Sequence, residues 1–500
     1  MRTAPTLLHL DMDAFYAAAE QAAKPSLRGK AVVVGGLGPR GVVATASYEA
    51  RRFGVHSAMP MGQARRLAPN AAYLVPRFTL YREVSEQVMG LLRELSPLVE
   101  PLSLDEAFVD LEAGGAAHDA PSALAVGERL RRDIRAVTGL TGSVGLAATK
   151  MLAKIASEEA KPDGLVVIDA GTERAHIAPL PVRTLPGVGP ATGELLRRAG
   201  IVTVQEIADA GQDELVRLLG MAHGASLHAM ALGHDERPVV SDRDAKSVSV
   251  EDTFAVDIHD RTRVRAEVER LADRCVARLR AAGRSGRTVV LKVRRYDFST
   301  LTRSETLRGP TDAPAVVREA AGRLLESVDT TGGVRLLGVG VTGLADFTQE
   351  DLFAQAAEER AAQRLAAEGG SPEPGERPEP DPHEAEPEPS APAEERRWLA
   401  GHDVTHAVHG AGWVQGSGVG RVTVRFETPA STRPGRVRTF RTDDPDLAPA
   451  DPLPLVTPAG TAAGGDDGPP PPEDHSSPEL ASRPKSRSGG TSPGAATSSP

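Results

Sequence analysis

LLHLDMDAFYAAAEQA, residues 7–22, and PLSLDEAFVDL, residues 101–111, decide the fold. In the first, the apolar run up to Met12 reads as a strand and AFYAAAEQA as the helix it enters, with Asp11 and Asp13 at the junction. In the second, apolar residues alternate around Asp105 and Glu106, as in a hairpin or strand turn. SALAVGERLRRDIRAVTG (122–139) reads as an amphipathic helix and GSVGLAA (142–148) as the strand after it. For acids so distant in sequence to meet, their strands must lie side by side in one sheet.

Paired carboxylates at strand ends suit two-metal phosphoryl transfer, because they are hard oxygen ligands for Mg²⁺. Either pair alone reads equally well as turn acids or helix caps. Their company favours chemistry. ATASYEARRFGV (44–55) sets Tyr48 and Arg51 three residues apart on one helix face, where phenol and guanidinium can grip a triphosphate. Lys161, before a Pro-Asp-Gly turn, offers a third phosphate ligand. Taken singly, Arg51 and Lys161 read as solvated charges.

The rest of the chain frames these motifs. Its 500 residues exceed one core, and 40% hydrophobic content supplies several. AVVVGG (31–36) and GVVAT (41–45) read as strands of a small second unit. LPGVGPATGELLRRAGI (185–201) is a glycine-punctuated turn and helix. Strands at 246–254, 287–307 and 334–344 around a helix near 261–282 give a further domain with a βαββ-like pattern. Residues 357–398 are a Pro/Glu-rich linker expected to be disordered, 401–428 a small β module, and the Pro/Gly/Ser/Thr-rich end a disordered tail. The net charge of −10 does not exclude nucleic acid, since residues 242–345 hold 19 Lys and Arg against 15 Asp and Glu. One cysteine, Cys275, reads as a buried apolar residue and fits a reducing cytoplasm. The N-terminus is too short and acidic for a signal peptide or a bilayer span, so a soluble, cytoplasmic protein is expected.

LDMDAFYAAAE, VVATASYEARRFGV, SLDEAFVDL and ATKMLAKIASEEAKPDG, in this order, resemble the Y-family DNA polymerases, and among them the DinB type. The resemblance covers about residues 6–355. It implies an α+β right hand with palm (1–19 and 78–167), fingers (20–77), helix-hairpin-helix thumb (168–235) and a DNA-binding little finger (242–345). A clamp-binding segment (346–356), the linker (357–398), an SH3- or Tudor-like module (399–458) and the tail (459–500) would follow. It also implies a low-fidelity, template-directed DNA polymerase that bypasses lesions with two Mg²⁺ ions. Asp11, Asp105 and Glu106 would be catalytic acids and metal ligands with the Met12 carbonyl, while Asp13 is less clearly a ligand.

By the same resemblance Tyr48, Arg51 and Lys161 bind the dNTP, and Tyr16, not Phe15, is the steric gate against ribose. Val42 and Ala44 fall where the family covers the nascent base pair; small side chains there leave a permissive pocket. Gly187 and Gly189 would let backbone amides meet a DNA phosphate. Arg284, Arg287, Lys292, Arg294, Arg295 and Arg303 would neutralise further phosphates, if they share one sheet face. QEDLF (349–353) resembles the pentapeptide that docks on the bacterial sliding (beta) clamp, through Gln349, Leu352 and Phe353. His402, His406 and His409 lack Cys or acid neighbours at zinc-ligand spacing, so the module is read as protein-docking with an unknown partner. Expected partners are thus primer–template DNA, dNTPs and the clamp, for a monomer without membrane attachment. No second acid constellation suggests a proofreading exonuclease. The rival reading is a non-catalytic DNA- and clamp-binding scaffold, and the six intact residues Asp11, Asp105, Glu106, Tyr48, Arg51 and Lys161 weigh against it. Deleting 357–500 is expected to leave primer extension on short templates intact.

Overall fold

The computed structural model describes residues 2–241, 244–346 and 398–456. Strand β1 (Leu7–Met12) turns into helix α1 (Phe15–Ala23) through Ala14, whose φ of 46° is left-handed. A small sheet of order β3-β2-β4 follows, made of β2 (Val32–Gly35), β3 (Val43–Ala46) and β4 (Ala72–Leu74). The short helices α2 (Tyr48–Arg51) and α3 (Met61–Leu67) lie between its last two strands in sequence. Ser47 caps α2 by accepting from the Ala50 amide, which fixes where Tyr48 and Arg51 begin their turn.

The chain then returns to β1. Helix α4 (Phe78–Leu95), β5 (Val99–Pro101), β6 (Glu106–Asp110), α5 (Ala120–Thr138), β7 (Gly142–Ala147), α6 (Lys150–Glu159) and β8 (Leu165–Val167) build a sheet of order β5-β6-β1-β7-β8. β1 is central and antiparallel to both β6 and β7. Alternation along β1 sends Leu8 and Leu10 into the core shared with Leu92 and Ile134 of α4 and α5. His9 and Asp11 therefore point to the opposite face, where α6 packs. Gly145 makes that approach possible, because a Cβ there would lie 2.0 Å from the Ala153 carbonyl oxygen.

Next come α7 (Glu173–Ile177), α8 (Pro190–Arg198), α9 (Val204–Leu219, broken at Gly211) and α10 (Met221–Ala231). The following unit is βαββαβ: β9 (Ser247–Ile258), α11 (Arg261–Ala281), β10 (Ser285–Arg295), β11 (Thr300–Thr311), α12 (Pro314–Glu326) and β12 (Val334–Ala345). Its antiparallel order is β11-β10-β12-β9. The sequence pattern contained α11 but not α12, whose apolar stripe Val317, Ala320, Ala321 and Leu324 is a plain helical repeat. Cys275 on α11 is buried in this core, and burial pushes its thiol up to about 11.

The C-terminal module is a five-stranded antiparallel sheet of order β16-β15-β14-β13-β17, from β13 (Asp403–His406), β14 (Gly410–Gly418), β15 (Arg421–Phe426), β16 (Arg436–Arg441) and β17 (Leu447–Pro449). It docks on its own chain. Trp413 joins the core around β1, Glu427 accepts from Ser26 Oγ at 2.5 Å, and the Val75 amide donates to the Ala400 carbonyl at 3.0 Å. Among the described residues no helix is long and apolar enough to cross a membrane.

Candidate active site

Antiparallel pairing sets Asp11 of β1 directly opposite Glu106 of β6 and Ser143 of β7. Opposed residues share a sheet face, so the two carboxylates project together. Asp105 closes the turn: its carbonyl accepts from the Met12 amide at 2.9 Å, and its side chain accepts from Ser103 Oγ at 2.6 Å. Burial, with Asp105 and Glu106 adding like charge against the pull of Lys161, pushes Asp11 up to about 6. Glu106 goes the other way, to about 2, held by the His9 ring and by the ammonium of Lys154.

Lys161 Nζ donates to Asp11 at 2.8 Å, and Lys154 to Glu106. Two ammonium groups thus pair with the acids, while Asp105 and Glu106 add like charge beside Asp11. Hard oxygen donors short of cation are a donor set that fits divalent metal. Asp11, Asp105 and Glu106 are spread more widely than a closed ligand group. Among the described residues, the group whose ligand atoms all lie within 4.8 Å of one another is His406, Asp444 and Asp446. Those aspartates come from the turn after β16, which corrects the expectation that the module's histidines have no acid partner; His402 and His409 stay outside the group.

Asp13 is buried and saturated. It accepts from Thr141 Oγ1 at 2.7 Å, Ser143 Oγ at 2.8 Å and the Asp163 amide at 2.8 Å. It holds the loop bearing Lys161 against β1. Tyr48 OH reaches Asp13 at 3.4 Å, and burial together with that carboxylate pushes the phenol up to about 12. The Arg51 guanidinium lies over the Tyr48 ring at 4.7 Å and donates to the Ala46 carbonyl. Lys161 thus contacts Asp11, Tyr48 contacts Asp13, and Arg51 lies against Tyr48.

Phe15 is buried in the core, whereas Tyr16 is half-buried and stacked on Tyr81, with ring centroids 4.4 Å apart at 10°. Phe78 meets both rings edge-on, at 5.9 and 6.0 Å. Val42 and Ala44 are exposed on the same side of β3. A cleft of about 940 Å³ runs from Asp11 along Lys154 and Glu158 to Gly187 and Gly189. Gly187, at φ +87°, makes the turn, and Gly189 caps α8 with open space beyond its Cα.

The basic residues of the βαββαβ unit divide between faces. Val289, Leu291 and Val293 of β10 face the helices, so Lys292 and Arg294 face the open side. Lys292 is paired with Glu251 at 2.9 Å, and Arg294 donates to Thr300. Arg303 sits opposite the inward Leu291, on the helix side. Arg284 pairs with Asp244 and Asp346, Arg287 donates to the Leu307 carbonyl, and Arg295 to the Asp329 carbonyl. Gln349, Leu352 and Phe353 lie outside the described residues, as do the linker and tail. Sequence reasoning missed Lys154, His9 and Tyr81. Lys154 had a usable signal, standing seven residues before Lys161 in the same quoted block.

Comparison with known proteins accords with this geometry. The impB/mucB/samB family model matches residues 10–158, and that family's C-terminal domain matches residues 245–352. A SAM-like helix-hairpin-helix tandem matches residues 180–223. DNA polymerase IV of Streptomyces coelicolor is 73% identical over 100% of both chains. That of Corynebacterium diphtheriae is 42% identical over 89% of this chain and 98% of the relative. Among solved structures, a Y-family DNA polymerase chimera aligns with TM-score 0.62 and 26% identity over 67% of this chain and 98% of its own. An insertion ternary complex of Dbh DNA polymerase aligns with TM-score 0.51 and 25% identity over the same shares. Y-family polymerases are metal-dependent enzymes. The chain belongs to the Y family of DNA polymerases, in its DNA polymerase IV (DinB) group, and is a DNA-directed DNA polymerase.

Proposed function

We propose that this polymerase performs low-fidelity translesion synthesis by two-metal nucleotidyl transfer, without proofreading. The observation that carries the reading is Asp11 facing Glu106 across β1 and β6, with Asp105 at the adjoining turn, at one end of a cleft that reaches the Gly187–Gly189 turn. Asp11, Asp105, Glu106 and the Met12 carbonyl would hold two Mg²⁺ ions. When bound, these ions supply activation of the primer 3′-hydroxyl and stabilisation of the leaving pyrophosphate.

The side chains do the rest. Tyr48 and Arg51 grip the triphosphate, and Lys161 exchanges Asp11 for a phosphate oxygen. Tyr16, with its ring backed by Tyr81, fills the space a 2′-hydroxyl would need. The exposed, small Val42 and Ala44 bound a pocket that tests pairing geometry weakly, which supports lesion tolerance. Gly187, Gly189, Arg287, Lys292, Arg294 and Arg295 hold the DNA backbone without reading bases. Lys292 and Arg294 suit that role best, being on the open sheet face. Gln349, Leu352 and Phe353 would dock on a sliding clamp.

The palm, fingers, thumb and little finger are assigned to residues 1–19 with 78–167, 20–77, 168–235 and 242–345. We place the protein in the cytoplasm as a monomer acting on primer–template DNA. The test is primer extension with Mg²⁺ and dNTPs by the intact chain and by Asp105→Ala/Glu106→Ala. Extension by the intact chain alone supports the reading; equal extension by both removes these acids from the mechanism.

A further inference from the structure

Behind the Tyr16 ring lies a buried polar chain that ends in the C-terminal module. Tyr81, stacked on Tyr16, is fully buried, and its hydroxyl donates to Glu20 Oε1 at 2.7 Å. Glu20, 0% exposed, also receives the forked Arg77 guanidinium, Nε and Nη2 each at 2.9 Å, and the Lys24 ammonium. Arg77 has one nitrogen left, and it donates to both oxygens of Asp403 at 2.8 and 2.6 Å. Asp403 is the first residue of β13, 326 positions away from Arg77.

A planar guanidinium bound on two edges transmits position, because neither edge moves without the other. We propose that Asp403 and Arg77 are positioning residues for Tyr16, so that the docked module tunes discrimination between deoxyribose and ribose. Neither touches substrate; they act through Glu20 and the Tyr81 ring. The proposal rests on the reading of Tyr16 as the sugar gate. Losing Asp403 leaves a buried guanidinium half-satisfied. Arg77 then turns toward other acceptors, Glu20 follows, and the Tyr81 hydroxyl loses its fixed partner.

The experiment measures kcat/KM for a dNTP and for the matching NTP in the full chain. Tyr16→Ala comes first: if it leaves sugar selectivity unchanged, the gate reading falls and this proposal with it. If selectivity collapses, the gate stands and the relay is tested separately. Asp403→Asn should lower selectivity by about three- to tenfold, in the lower part of the coupling range within one hydrogen-bonded network. Arg77→Lys, which keeps charge and loses the fork, should move it the same way. Ser26→Ala removes a docking contact to Glu427 outside the relay, and should leave selectivity at the wild-type value. In a Tyr16→Ala background, Asp403→Asn should have no further effect. Wild-type selectivity in Asp403→Asn, an equal change in Ser26→Ala, or an undiminished effect without the Tyr16 ring would each overturn the relay.

Discussion

Two charge clusters flank α1 and are made of similar groups, yet they do opposite things. In the cleft, Asp11, Asp105 and Glu106 face Lys154 and Lys161, three acids against two cations, all at least partly exposed. At the module junction, Glu20 and Asp403 face Lys24 and Arg77, an even balance, with Glu20, Lys24 and Arg77 buried. The open cluster is short of positive charge and reached by solvent. The sealed one is neutral overall and each of its charges has a partner, so it fixes geometry. Sign balance and burial, more than residue type, separate a site from a staple.

The comparison breaks most visibly in activity. Asp11→Asn should cut primer extension by about a hundred- to a thousandfold, as loss of one preorganised electrostatic group does. Its unfolding midpoint should hold or rise, because a like-charge neighbour is gone. Equal losses in melting temperature and activity would erase the distinction.

Deleting the module should show the reverse. Primer extension on short templates is still expected without residues 357–500, but Trp413 docks in the main core, so the module contributes to stability. Removal of 398–456 should lower the melting temperature more than any single change at the junction, while extension persists below the new midpoint. Arg77→Ala comes next, costing about 3 kcal/mol in denaturant unfolding, since it leaves Glu20 and Asp403 sharing Lys24 as their one nearby cation. An effect confined to the exposed-pair range would mean the junction is not sealed.

Acid sharpens the contrast further. Burial alone would raise Glu20, but Lys24 and Arg77 hold it below its ordinary 4.5. A depressed carboxylate contributes stability above its unfolded value, and that share is lost as pH falls through the folded one. Stability should thus decline below about pH 4.5, and less steeply in Glu20→Gln. The smallest effect is expected at Arg93, whose pair with Glu86 is exposed. Arg93→Ala should leave the midpoint unchanged, showing that pairing without burial does little.

The sequence carried the cleft better than the junction, for a physical reason. Strand-end acids, the Tyr48–Arg51 spacing and the Gly187 turn are local signals, each legible within a dozen residues. Their meeting required only that β1 and β6 pair, which alternation suggests. Arg77 and Asp403 carry no local signal: each looks like an ordinary surface charge until the fold joins them. The same holds for His406 with Asp444 and Asp446, brought together by strand order and not by spacing. Lys292 and Arg303 show the third case, where counting basic residues was right but the sheet register divided them.

Cys275 turns the unit 244–346 into its own gauge. As the chain's only thiol, buried and protonated while α11 stays packed on β9, it is unreactive until that core opens. The rate at which a maleimide captures it therefore clocks local opening of this one unit within the intact enzyme, with no label to engineer. Followed with and without DNA, that clock would tell whether DNA changes how often this unit opens.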